Sequence, residues 1–116
     1  MIDEEYDQEN WDERLISNYY QLGALMPFFR AHADFHSKRR EPWYFSEDCQ
    51  AKIRDALNLR YKLIFYIYTQ FYLANQQGKP VMRPVWYDDH RLDVDLNKSN
   101  FMLGETLIVS TLENKI

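Results

Sequence analysis

Two imidazoles and a carboxylate fall within five residues of this chain, in the run His32-Ala33-Asp34-Phe35-His36. These residue types support two kinds of chemistry. His and Asp are metal donors, and two His four apart share a face when the segment is helical. A neutral imidazole is also donor and acceptor at once, so a single His beside a polar pocket can hold a hydroxyl. A metal site needs a full ligand count and groups that orient the ligands, and the surrounding loop offers no fourth donor. The sequence therefore points to no metal and no cofactor. For His32 two readings stay open: a structural imidazole hydrogen-bonded at a strand end, and a binding residue facing a ligand.

The elements that must position these side chains are legible on both sides of them. Upstream, Trp11, Leu15, Tyr19, Leu22 and Leu25 recur at three- and four-residue spacing, the period of one helix face, which predicts a helix over about 10–25. Pro27 lacks an N–H and disfavours helix at the residue before it, so an extended segment should follow, a strand over 27–31 delivering Arg30, His32 and Asp34. Lys38-Arg39-Arg40-Glu41-Pro42-Trp43 reads as a basic loop, solvated and paired with local carboxylates. Ser46 is then an N-cap, with Glu47 and Asp48 complementing the dipole of a helix that Gly78 stops. A strand ending in a His, then a loop and a covering helix, is how the last unit of a β/α barrel is built, with binding residues at the carboxyl ends of its strands.

That second helix is apolar beyond one face. Ile53, Leu57, Tyr61, Ile64, Tyr68 and Phe71 share one side, and the centre, L-I-F-Y-I-Y, is apolar all round. A membrane span needs roughly 18–20 uninterrupted apolar residues, which Arg60, Lys62 and Gln70 deny, so a helix buried on more than one side is expected. A chain of 116 residues can scarcely bury it alone, and a whole β/α barrel usually takes about 250 residues, so the sequence reads as part of something larger.

Composition is globular, with 46% hydrophobic and 28% charged residues, and the 16% aromatic content demands a core or a binding surface to cover it. A net charge of −4 gives no electrostatic footprint for nucleic acid. The single Cys, Cys49, excludes an internal disulfide. The acidic first ten residues read as a solvated lead-in and contain no apolar core of a signal peptide. Past Gly78 the pattern changes. Residues 80–86, broken by Pro80 and Pro84, read as an edge strand, 88–100 as a polar loop, and Phe101 to Val109 as two short strands about a turn. The division expected is 1–78 and 79–116, the latter opening an all-β unit of sandwich type.

Five motifs stand in one order: Y-Q-L-G-A-L-M-P-F-F-R-A-H-A, R-R-E-P-W, I-R-D-A-L-N-L-R-Y, G-K-P-V-M-R-P-V-W and F-M-L-G-E-T-L-I-V. Together they resemble the C-terminal part of the catalytic domain of glycoside hydrolase family 31, in its neutral α-glucosidase branch. The resemblance implies an α/β fragment: the last strand-helix unit of a (β/α)8 barrel with a long buried helix, then the opening strands of a β-sandwich. It implies a carbohydrate substrate, an α-glucoside or N-glycan, retaining hydrolysis of terminal α-linked glucose, and a place in the endoplasmic reticulum lumen beside a non-catalytic β subunit. It implies further that His32 hydrogen-bonds hydroxyls of the glucose in the cleavage subsite. The family's catalytic Asp residues stand in motifs of the W-x-D-M-N and W-x-G-D-N kind, which this chain lacks, so no catalytic residue is assigned. Two other readings compete: a non-catalytic relative that binds glycan or a partner through the same surface, and an unrelated helical domain with a His-Asp-His metal site.

Overall fold

The computed structural model describes residues 12–88 and 100–110. Two helices pack together, and a three-stranded antiparallel sheet lies on the C-terminal half of the longer one. The acidic lead-in and most of the expected polar loop lie outside the described residues.

Helix α1 spans Glu13–Gly23, with Asp12 as its N-cap, whose Oδ1 accepts the Leu15 N–H at 3.1 Å. It ends slightly earlier than the periodicity predicts. The Leu25 and Met26 N–H groups bond to Leu22 and Gly23, three residues back, so the last turn tightens ahead of Pro27. Helix α2 spans Glu47–Gln77, 31 residues and so about 46 Å of axis. Its caps are those the sequence predicts: Ser46 accepts the Cys49 N–H, and Gly78, at φ 72°, donates its N–H to the Ala74 carbonyl.

The strand expected over 27–31 does not form. Residues 26–28 bend, 29–34 have no regular structure, and the His32 N–H bonds back to the Arg30 carbonyl at 3.1 Å. A strand exists through its neighbours, and no described segment of this chain lies beside residues 27–31 to form a ladder with them.

The sheet follows the reading closely. Strand β1 is Met82–Pro84, β2 is Phe101–Leu103 and β3 is Leu107–Val109, in the order β1-β2-β3. Pro84 sits on the edge strand, where its missing N–H costs no ladder bond, and Val85–Tyr87 turns into a short 3-10 helix instead of continuing the strand. Leu103 pairs with Leu107 across the turn.

Burial divides the core in two. One cluster joins Ile67 of α2 to Val81, Phe101, Leu103 and Val109 of the sheet region, and the other joins Ile16 of α1 to Phe45, Cys49 and Ile53. Arg83 is buried under the sheet and satisfied there, its guanidinium within 2.7 Å of Asp88 Oδ2 and 2.9 Å of the Pro80 carbonyl.

The expectation of a helix buried on more than one side is corrected by the structure, which buries α2 on one side only. Tyr61, Ile64, Phe65, Tyr68 and Tyr72 stand in the solvent, Phe65 at 83% and Tyr68 at 76% exposure. Spacings of three and four make them one stripe. An apolar surface of this size favours association. The isolated chain is expected to self-associate in sedimentation, and a variant with Phe65→Lys and Tyr68→Gln to move toward the monomer. A native monomer at all concentrations would contradict this. Among the described residues no helix is long and apolar enough to cross a membrane.

Candidate functional site

The bend between α1 and the His-containing loop is held from the far side by α2. Arg60 reaches across with Nη1 donating to the carbonyls of Ala24 at 2.9 Å and Met26 at 2.7 Å, and Nη2 donating to Pro27 at 3.2 Å. These oxygens are the ones a helix C-terminus leaves without partners, and α1 has no basic residue of its own in its last turn. The same guanidinium lies 5.3 Å from the Phe29 ring, and Tyr20 meets that ring edge-on at 5.9 Å. Gly23 is where Phe29 lands, since a Cβ there would stand 2.8 Å from the ring.

With Phe29 fixed, the next residues are thrown outward. Arg30 lies over the Phe28 ring at 5.4 Å, the chain turns tightly at Ala31, and His32 emerges exposed. His32 lines a groove of about 500 Å³ whose walls include Tyr19, Tyr20, Phe28, Phe29 and Arg30. Aromatic faces with a cation and an imidazole at the rim suit a ligand that offers C–H faces and hydroxyls. The Tyr20 hydroxyl points at the Arg40 carbonyl at 3.5 Å, and burial raises its pKa.

The structure separates His32 from the other two chemistry-bearing residues of its run. Asp34 folds its own loop: Oδ2 accepts the His36 N–H at 3.3 Å, and its carbonyl accepts the Ser37 N–H at 3.0 Å. The His36 ring meets Phe35 edge-on at 5.2 Å. Among the described residues no three His, Cys, Asp or Glu side chains are grouped to hold a metal ion. The basic loop is paired as expected, with Arg39 on Glu41 at 3.0 Å and over the Tyr44 ring at 4.5 Å. The hydrogen bond from Arg39 holds the Glu41 carboxyl below its usual value.

Sequence reasoning missed two anchors. Arg60 counts in the sequence as an interruption of an apolar helix and as part of one motif, and a cation in such a place is a signal that it has a partner. Glu13 was not singled out, yet its carboxylate accepts both the Ser46 N–H, at 2.8 Å, and the Ser46 hydroxyl, tying the start of α1 to the start of α2. Beneath that tie the buried Cys49 thiol points at the Glu13 carbonyl at 3.7 Å, and burial raises its pKa.

The Glu13 tie has a pH signature. The Ser46 hydroxyl and N–H bonds lower its pKa from the ordinary 4.5, so the folded form holds its proton more weakly than the unfolded form. Its contribution is therefore present above pH 4.5 and is lost as pH falls through the lowered folded value. In denaturant unfolding followed by helical circular dichroism, the native chain should be the more stable above that pH and should lose stability more steeply than Glu13→Gln as the pH falls, the two curves converging at low pH.

The family model described as the glycosyl hydrolases family 31 TIM-barrel domain matches residues 6–70. Mouse "Neutral alpha-glucosidase AB" is 44% identical over 103 residues, covering 87% of this chain and 11% of that protein. Human "Neutral alpha-glucosidase C" is 43% identical over 102 residues, 86% of this chain and 11% of that protein. The Dictyostelium discoideum "Neutral alpha-glucosidase AB" is 41% identical over 104 residues, again 86% and 11%. The chain belongs to glycoside hydrolase family 31. It spans about a tenth of the length of the curated relatives it matches.

Proposed function

We propose that this chain is the closing segment of a retaining α-glucosidase that removes terminal α-linked glucose from oligosaccharides or N-glycans. Residues 1–78 belong to the end of the catalytic (β/α)8 barrel, as its last strand-helix unit, and 79–116 open the proximal β domain. The observation that carries the reading is the identity of 44% to a neutral α-glucosidase across 87% of the chain. Two features support the division. The barrel-domain match stops at residue 70, inside α2, and past Gly78 the chain changes to an antiparallel sheet. The same reading lets residues 27–31 become a strand when a neighbouring barrel strand is there to pair with it.

Within that enzyme His32 contacts the sugar. It lies at the carboxyl end of the expected strand, where β/α barrels carry their binding residues, and its exposure on an aromatic-walled groove leaves the imidazole available. Retaining hydrolysis requires two carboxyl groups about 5–5.5 Å apart across the scissile bond. The chain lacks the family's two Asp motifs, so both groups come from other barrel strands. The family resemblance also supplies the location, the endoplasmic reticulum lumen, and the partner, a non-catalytic β subunit.

The test is a graft. The isolated chain is expected to release no product from an aryl α-glucoside. The same residues placed in mouse neutral α-glucosidase AB, in exchange for the segment they match, should keep turnover with retention of the anomeric configuration. A folded graft without activity would overturn the proposal, and so would turnover by the isolated chain that His32→Ala abolishes.

A further inference from the structure

We infer that Arg60 is a positioning residue for the sugar-contacting imidazole, acting from α2 through the bend at residues 24–29; this rests on the reading of His32 given above. Arg60 is 28 positions from His32 in sequence and does not itself line the groove, reaching it only from behind through Met26 and Phe29. Its influence is carried by backbone. The fork takes three carbonyls, those of Ala24, Met26 and Pro27, with distances of 2.9, 2.7 and 3.2 Å. Three acceptors in one bend fix its course, because the planar guanidinium presents its donors in a rigid arrangement that a lysine ammonium lacks.

The second hold is on the side chain that follows. Phe29 is gripped on three sides: Arg60 at 5.3 Å over its face, Tyr20 at 5.9 Å edge-on, and Gly23 with no Cβ to push it away. From this fixed ring only two residues intervene before His32, and the Arg30 carbonyl accepts the His32 N–H, so the direction of the imidazole is set by the backbone leaving Phe29. Among the described residues no hydrogen bond or ring contact holds the His32 side chain itself, whose exposed position makes the aim of its backbone decide where it points. A displacement near 1 Å at a positioning element can cost about a hundredfold in rate.

The assignment separates Arg60 from a residue that merely keeps the helices together. A structural residue changes the fraction of folded enzyme; a positioning residue changes kinetics per folded site, and only while His32 is present to be aimed. In the grafted full-length α-glucosidase, active sites are first counted by stoichiometric labelling with a mechanism-based covalent inhibitor of retaining α-glucosidases. Per labelled site, Arg60→Gln is expected to lower kcat/KM by about ten- to a hundredfold, the loss of hydrogen bonds made by a charged donor. Arg60→Lys should fall between the two, since it keeps the charge and loses the fork. The deciding variant is Arg60→Gln with His32→Ala, which should be no slower than His32→Ala alone. Losses that multiply in full would overturn the assignment, as would an Arg60→Gln enzyme with normal kinetics per labelled site and only a lower melting temperature. His32→Ala with unchanged kcat/KM would overturn the sugar-contact reading first, a failure visible without any Arg60 variant.

Discussion

His32→Ala in the grafted full-length enzyme is expected to lower kcat/KM by about 2–4 kcal/mol, the cost of removing one well-placed donor from a dry site. Sugar hydroxyls near the reacting carbon are held more strongly as the ring flattens toward its oxocarbenium-like transition state. The loss should therefore appear in kcat and not in KM alone, because an interaction improved in the transition state contributes to turnover. The other histidine of the run supplies the control. His36 is exposed, its N–H serves the Asp34 turn and its ring rests on Phe35, outside the groove. His36→Ala should cost less than about 1 kcal/mol, as changes at exposed positions usually do. Kinetics of both variants on a short α-glucoside decide the matter. A larger loss for His36 would mean that the wrong imidazole has been placed against the sugar.

The parts of the fold that the sequence discloses are those whose cause is local. Ser46, Glu47, Asp48 and Gly78 bracket α2 because caps and dipole complementation act within a turn of the helix end. The hairpin of β2 and β3 is visible because two short apolar runs flank a turn. What stayed hidden depends on distant partners. The Glu13–Ser46 tie and the Arg60 clamp join positions 33 to 36 apart, and no periodicity within either helix signals them. The expected strand over 27–31 failed for a related reason, since a Pro boundary can propose an extended segment but only a neighbour makes it a strand. The apolar centre of α2 was legible, and the structure leaves its outer side exposed at Phe65 and Tyr68.

The site was legible in its residue types and not in its geometry. The spacing of His32, Asp34 and His36 leaves open whether they act together, and the structure parts them by spending Asp34 on a local turn. Arg30 and the two Phe residues looked like strand positions, whereas they form the wall and rim of the groove. His32 itself stands exposed on that groove.

Gly104→Ala should be the most damaging change in the sheet, on the order of 3–5 kcal/mol, with three causes that add. Its φ of 63° lies in the left-handed region, where a Cβ costs about 1–2 kcal/mol. The Cβ would also stand 2.5 Å from Gln70 Cγ and closer still to the Tyr66 hydroxyl. Tyr66 cannot simply swing aside, because its hydroxyl donates to the Leu103 carbonyl at 2.9 Å and accepts the Thr106 N–H at 3.2 Å. Displacing it removes that bond from the carbonyl of Leu103, a fully buried residue, and loosens the contact between the hairpin and α2. The chain carries its own control in Gly78, which has nearly the same φ, 72°, but open space where the Cβ would go. Gly78→Ala should therefore cost only the backbone share, about 1–2 kcal/mol. Amide hydrogen exchange over residues 101–109 reads the opening of the hairpin directly. A large loss of protection in Gly104→Ala beside a small one in Gly78→Ala is expected, and equal effects would show that backbone strain alone, and not the packing of Tyr66 and Gln70 on the turn, decides the stability of the sheet.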